Sequence, residues 1–334
     1  MKKTLTVYYF IIISLIIITV GCTKKPDSQK KPIKIAINSI WPGYAHVFIA
    51  KENGFFEKNN VSVVLVPTKD DIESRTLYLH GEVDGLFNVF TDIIQLNLEG
   101  ILTKVVYVAN HSDTADVIVG KGAFTSLSDL KGKNVSFEGE NTFSHLFVLQ
   151  ALKKAGVEEY DIRFSNVRAQ DVLEALEKGK IDAGHTWEPI TSQALKKGYK
   201  ILGKAGDIPG IISDILAFKS ELIQNRPEDI ENIVKSILEA RDFIYTHRDK
   251  ALTIMAKAEK MSKEEMDQGI RGVYQPDLKG NLTALRKSKE VTSLYNTGKI
   301  IASFFMERGQ ISHMPDFHSI IEARFLENLI KKKE

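Results

Sequence analysis

The strongest constraint in this chain is an alternation that runs, stops and starts again. From Ile33 onward, short apolar runs trade places with helix-patterned segments. "IKIAINSI" (33–40) reads as a strand, "AHVFIAKENGFF" as a helix stopped at Gly54, and "VSVVLVPT" (61–68) as a second strand. "DDIESRTLYLHG" reads as a helix with Gly81 at its C-terminal end. "VDGLFNVF" is a third strand, helix resumes near Thr91 or Asp92, and "TKVVYVAN" is a fourth strand. The pattern then restarts. "DLKGKNVSFEG" gives a turn and a strand, "TFSHLFVLQALKKAG" a helix ending at Gly156, and "YDIRFSNV" a strand. "AQDVLEALEKG" is helix, "KIDAGHTW" strand, "EPITSQALKKG" helix and "YKILGKA" strand. An apolar strand layer needs helices to cover it, so each run builds one α/β unit with a mostly parallel sheet.

From Pro227 the chain turns helical. "PEDIENIVKSILEARDFI" has Pro at its first turn and puts Ile230, Ile233, Val234, Ile237 and Leu238 on one face. The expected organisation is lobe I from 33–118 and 214–334, lobe II from 119–213, and C-terminal helices on lobe I. The chain then crosses between lobes near 115–120 and again near 210–216. Two crossings close together make a hinge.

The segment before Ile33 is different in kind. Lys2 and Lys3 precede an apolar run from Val7 to Val20, too short for a comfortable membrane span of about 20 residues. It fits the core of an export signal. Gly21 and then Cys22, the single cysteine of the chain, follow. A chain with one cysteine forms no internal disulfide, so the thiol needs another use. The expectation is a lipoprotein signal over 1–21, cleavage before Cys22, and a lipid on its sulfur. The alternative is an ordinary signal peptide, or an anchor helix, with an incidental cysteine. Residues 22–32 are rich in Lys, Pro, Ser and Gln and read as a tether. The implied location is the extracytoplasmic face of the cell membrane. The formal charge of +2 leaves no footprint for nucleic acid.

In open α/β sheets, ligands sit beyond the carboxyl ends of strands. In lobe I those ends offer Trp41, Tyr44, Asn88, Thr91 and Asp92. In lobe II they offer Glu138, Asn141, Thr142, Ser144, Trp187 and Glu188, with Asp214 at the return crossing. Both tryptophans of the chain are in this set, as aromatic walls for a small molecule or as caps on apolar layers. "ENTFSH" opens a helix whose free N–H groups suit an acceptor, unless Asn141 or Thr142 only caps it. Glu188 orients the ligand, or simply starts the helix at Pro189. His46, His145 and His185 lack metal spacing, no phosphate loop is present, and no nucleophile is paired with a base, so neither metal, cofactor nor catalysis is expected.

The sequence resembles the solute-binding proteins of the nitrate/sulfonate/taurine transport group, which also holds thiamine-pyrimidine precursor binders. "WPGYAHVFIAKENGFFEKNNVSVVLVP" is similar to its N-terminal signature, "GEVDGLFNVFTDII" to the next segment, "SLSDLKGKNVSFEGENTFSHLFVLQALKKAG" to its lobe II opening, and "EALEKGKIDAGHTWEP" to a further one. The resemblance spans residues 33 to 220. It implies a two-lobed, type II-like periplasmic-binding-protein fold that closes on a small nitrogen- or sulfur-containing solute. It further implies a monomer that delivers the solute to an ABC permease and its ATPase. A tight anion site would show an Arg at a strand end, yet only Lys69 and Arg168 come close, whereas Asp92, Glu138, Glu188 and Asp214 abound. That balance favours a ligand rich in donors. The alternatives are a sensor component, or an enzyme of pyrimidine or quinone precursor synthesis on the same fold.

Overall fold

The structure, a computed structural model, describes residues 31–332. The expected leader over 1–21 and the lipidated Cys22 lie outside the described residues, as does most of the 22–32 tether.

Among the described residues, eleven strands form two sheets. They are β1 (Ile33–Asn38), β2 (Val63–Thr68), β3 (Gly85–Val89), β4 (Thr103–Ser112), β5 (Val117–Gly120) and β6 (Asn134–Phe137). Then come β7 (Arg163–Asn166), β8 (Ala183–Thr186), β9 (Lys200–Lys204), β10 (Ser213–Lys219) and β11 (Val273–Tyr274). One sheet has the order β11-β4-β10-β3-β1-β2 and the other β7-β6-β8-β5-β9.

The expectation of mostly parallel sheets is corrected: both are mixed. β1 runs parallel to β2 and β3, but β10 is antiparallel to β3 and β4, and β11 is antiparallel to β4. In the second sheet β6 is parallel to β7 and β8, while β5 is antiparallel to β8 and β9. The cause is the way the chain changes sheet. A parallel neighbour needs a crossover of a dozen or more residues. Instead β4 passes almost directly into β5 of the other sheet. The chain returns beside it, with Ser213 opposite His111 and Asp214 opposite Asn110. Up and back through one neck makes β4 and β10 antiparallel.

The helices behave as the apolar spacing requires. In Pro227–Thr246 the stripe Ile230, Ile233, Val234 and Ile237 is fully buried. Each such side chain is worth about 1.5–3 kcal/mol. The helix packs on His46–Glu52 and Phe55–Lys58, which flank the six-stranded sheet. Leu278–Leu285 packs on β4, and Leu294–Glu307 on Phe90–Leu98. The C-terminal helices thus cover lobe I.

Side chains also tie one lobe to the other. Gln95 Nε2 donates to the Asn141 carbonyl at 3.0 Å, and the Ser192 hydroxyl lies 2.7 Å from the Gln268 side-chain amide. Arg308, just past the helix Leu294–Glu307, meets Glu159 Oε2 at 2.6 Å and His145 Nε2 at 3.1 Å. Burial and the Arg308 charge hold the His145 pKa down at about 4; its Nδ1 accepts from the Asn141 N–H at 3.0 Å, which leaves the ring proton on Nε2, 3.4 Å from Glu159 Oε1.

Candidate binding site

The turn after β1 places the first wall. Trp41 precedes a single helical turn, Pro42–Tyr44, that folds the indole back over the strand end. Gly43 makes this approach possible: a Cβ there would sit 2.4 Å from both Trp41 Nε1 and Asn110 Nδ2. Trp187 follows β8 on the other sheet and meets Trp41 edge to face, ring centroids 5.8 Å apart at 78°. Both are almost sealed, at 7% and 9% exposure. The two tryptophans expected as walls are therefore brought together.

Behind Trp41 stands Asp214, 2% exposed at the start of β10. Its Oδ2 accepts from Trp41 Nε1 at 2.5 Å and its Oδ1 from the Tyr44 hydroxyl at 3.2 Å. Burial, and then repulsion from Asp116, pushes its pKa up to about 7 despite these donors. Asp71 faces the same space and accepts from Asn38 Nδ2 at 3.4 Å. Burial, with the nearby Asp214, Asp92 and Glu138 charges, drives its pKa well above the carboxylate range.

Asp116 closes the ring from the neck just before β5, 2% exposed. A hydrogen-bonded chain fixes it. The Glu138 backbone N–H donates to Ser144 Oγ at 2.9 Å, Ser144 Oγ lies 2.7 Å from His185 Nδ1, and His185 Nε2 lies 2.9 Å from Asp116 Oδ1. With Nε2–H turned to the carboxylate, Nδ1 accepts from the Ser144 hydroxyl. The second carboxylate oxygen, Oδ2, is sealed from solvent and has no hydrogen-bond partner.

These groups enclose a cavity of about 10 Å³ lined by Asn38, Trp41, Asp71, Asp116, Trp187 and Asp214, with Val89, Phe143 and Ile212. That is room for about one water-sized sphere. It adjoins a second hollow of about 50 Å³ that shares Asn38, Asp71, Phe143 and Trp187 and adds Asp70, Asp92, Glu138 and Thr142. Burial raises the Asp92 pKa to about 6, and burial raises that of Glu138 as well.

Of the residues expected at the site, Trp41, Trp187, Asp214, Asp92, Glu138 and Thr142 line one hollow or the other. Tyr44 and Ser144 stand one layer behind, bonded to Asp214 and His185. Asn88 also supports from behind, its Nδ2 donating to the Asp71 carbonyl at 3.1 Å. Thr91 is buried in the helix Phe90–Leu98 and lines neither hollow. Asn141 sits in an outer groove with Arg308. Glu188 is turned away: its carboxylate accepts from Ser192 N at 3.2 Å and Ser192 Oγ at 2.9 Å at the start of Ile190–Lys196. Thr142 caps its helix as well, accepting from His145 N at 3.3 Å.

Sequence reasoning missed Asn38, Asp71, Asp116 and Phe143. Asp71 had a signal, since it lies in "TKDD" at the end of β2, one residue past Asp70. Asp116 precedes a strand of four residues that periodicity does not flag. The Ser144–His185–Asp116 chain pairs positions far apart in sequence and is visible only in the fold. It is no nucleophile with its base: Ser144 is fully buried and lines neither hollow. Among the described residues no group of three or more His, Cys, Asp or Glu side chains is placed to hold a metal ion.

Two mixed α/β lobes joined by paired crossings are the architecture of the periplasmic-binding-protein class. The solved ligand-binding component of an ABC-type import system from Staphylococcus aureus, with zinc bound, superposes with a TM-score of 0.72 at 16% identity, over 88% of this chain and 97% of that one. The periplasmic aliphatic sulphonate binding protein of Escherichia coli gives 0.71 at 19% identity, over 87% and 92%. In sequence, the taurine-binding periplasmic protein of Escherichia coli (strain K12) is 25% identical over 232 residues, 67% of this chain and 71% of that protein. The NMT1/THI5-like family matches residues 41–251, and the chain belongs to that family.

Proposed function

We propose that this protein is the extracytoplasmic solute-binding component of an ABC importer, a binding protein and not an enzyme. It captures a small organic solute between its two sheets and delivers it to a permease. The observation that carries this reading is the hollow where Trp41 and Asp214 of one lobe meet Trp187 of the other, with Asp116 at the neck between them. A site split between two lobes couples occupancy to their relative position. A relative and a solved structure named for binding and import support the same reading. Lobe I over 33–118 and 214–334 and lobe II over 119–213 then act as the two jaws, hinged at the neck. Cys22, lipidated, keeps the receptor at the membrane near its transporter, where its effective concentration is raised.

A hollow this small admits a solute only if the tryptophans part and close again over it. Small-angle scattering of the protein with and without a small-molecule extract of yeast tests this. A smaller radius of gyration with the extract is expected. An unchanged profile, with no bound solute recovered by mass spectrometry, sinks the reading.

A further inference from the structure

We propose that the solute is an organic cation carrying N–H donors, a protonated amine or amidinium, held by Asp116 and Asp71 against the faces of Trp41 and Trp187. This rests on the solute-binding reading and names its substrate class.

The first ground is the lining. Asp71, Asp116 and Asp214 face the inner hollow, and Asp70, Asp92 and Glu138 join at the outer one. Neither set of lining residues includes a Lys or Arg. An anion such as a sulfonate is held by cationic side chains or converging donors, and two of the donors at the inner hollow are already turned to carboxylates: Trp41 Nε1 to Asp214 and Asn38 Nδ2 to Asp71. Burial, with repulsion between neighbouring carboxylates, raises the pKa values of Asp71 and Asp214, and burial raises those of Asp92 and Glu138.

The second ground is independent of charge count. Asp116 lines the hollow, and its Oδ2 is an acceptor sealed from solvent and unpartnered. A buried polar atom left unpaired needs an explanation. Here the rest of the carboxylate is pinned by His185, which is itself pinned by Ser144. That chain holds the free oxygen in place for a donor from outside the protein. A neutral alcohol would satisfy the hydrogen bond but not the charge. A cation does both.

The third ground is the aromatic enclosure. Trp41, Trp187 and Phe143 line the hollow, and an indole face attracts a cation within about 6 Å of its centroid. Carboxylates and aromatic rings lining one hollow favour an ammonium over an uncharged isostere. Metal ions fit less well, because the carboxylates do not converge as a ligand set.

The test uses the same yeast extract, separated by ion exchange at pH 7 into cation-retained, anion-retained and unretained fractions, each with EDTA. Thermal unfolding of the protein is read with each fraction, and with taurine and ethanesulfonate. The cation-retained fraction should raise Tm by about 3 °C for each tenfold excess of ligand over Kd. Asp116→Asn, and separately Asp71→Asn, should weaken the captured solute about ten- to a hundredfold. Stabilisation by the anion-retained or unretained fraction alone, or by ethanesulfonate, overturns the cation and leaves solute binding standing. Stabilisation by no fraction overturns solute binding itself. Wild-type affinity for the captured cation in both aspartate variants overturns the assigned roles.

Discussion

Asp214 offers the sharpest test of the electrostatics. It is buried between Trp41 and Tyr44, and burial together with Asp116 raises its pKa from 3.8 to about 7. A carboxyl whose folded pKa lies above its unfolded one favours the fold most when both states are protonated. That stability is present below pH 3.8 and is lost as pH rises through about 7. At 1.36 kcal/mol per pH unit, the loss by pH 8 is about 4 kcal/mol. Asp214→Asn keeps the shape and removes the charge. Its amide oxygen accepts from Trp41 and its NH2 donates to the Tyr44 oxygen, at a cost of about 1 kcal/mol for weaker neutral bonds. The variant should therefore be more stable than wild type by about 2–4 kcal/mol at pH 8 and no more stable at pH 4. Urea unfolding of the ligand-free protein at both values measures this. His46 and His111, with pKa values held by burial at about 3 and 4, push the other way as pH falls, but they do so equally in both proteins. If Asp214→Asn is the less stable protein at pH 8, Asp214 is a stabilising ion and the repulsive cleft is refuted.

Two further outcomes are expected. Glu188→Gln should leave affinity for the captured solute unchanged and lower stability by no more than about 1 kcal/mol, since the side chain serves Ser192; calorimetry showing a tenfold loss would return Glu188 to the site. Cys22→Ala should release the protein from the membrane fraction or block its processing, and a variant that is processed and retained like wild type removes the lipid anchor.

The chain's alternation exposes most of the fold because amphipathic helices and apolar strands carry their own periodicity. What it hides are elements without room for a period. β5 has four residues and β11 two. β10 sits in "IISDILAF", where an aspartate interrupts the apolar run, so its pairing with β3 and β4 is a tertiary fact. With β10 unassigned, a parallel sheet looked complete and the antiparallel return went unseen. The site is split in the same way. Trp41, Trp187 and Asp214 follow from strand ends and crossings, which sequence order marks. Asp116 does not: it lies in the neck, and only the fold sets it beside His185. Glu188 looked attractive because it neighbours Trp187, but the backbone turns it the opposite way, toward Ser192.

The two inner carboxylates do different work because their partners differ. Asp214 has a donor on each oxygen, from Trp41 and Tyr44. Its satisfied bonds lock the Trp41 wall in place, and its raised pKa lets it carry a proton near neutrality. Asp116 has one oxygen held by His185 and one left open. In the proposed site it is the group that gains most from a ligand. Asp71 and Asp214 belong to the six-stranded lobe, whereas Asp116 leads into β5 and Glu138 follows β6 of the other. In the proposed closure, empty jaws bring these charges together in a drying space, where a close pair costs up to a few kcal/mol at an effective dielectric of about 20. Cross-lobe bonds such as Arg308 to Glu159 pull toward closure and work against that repulsion. A cation in the hollow turns the repulsion into attraction from both sides at once. Under this proposal the same carboxylates that penalise empty closure reward loaded closure, so charge would select the solute and report its arrival through one set of residues.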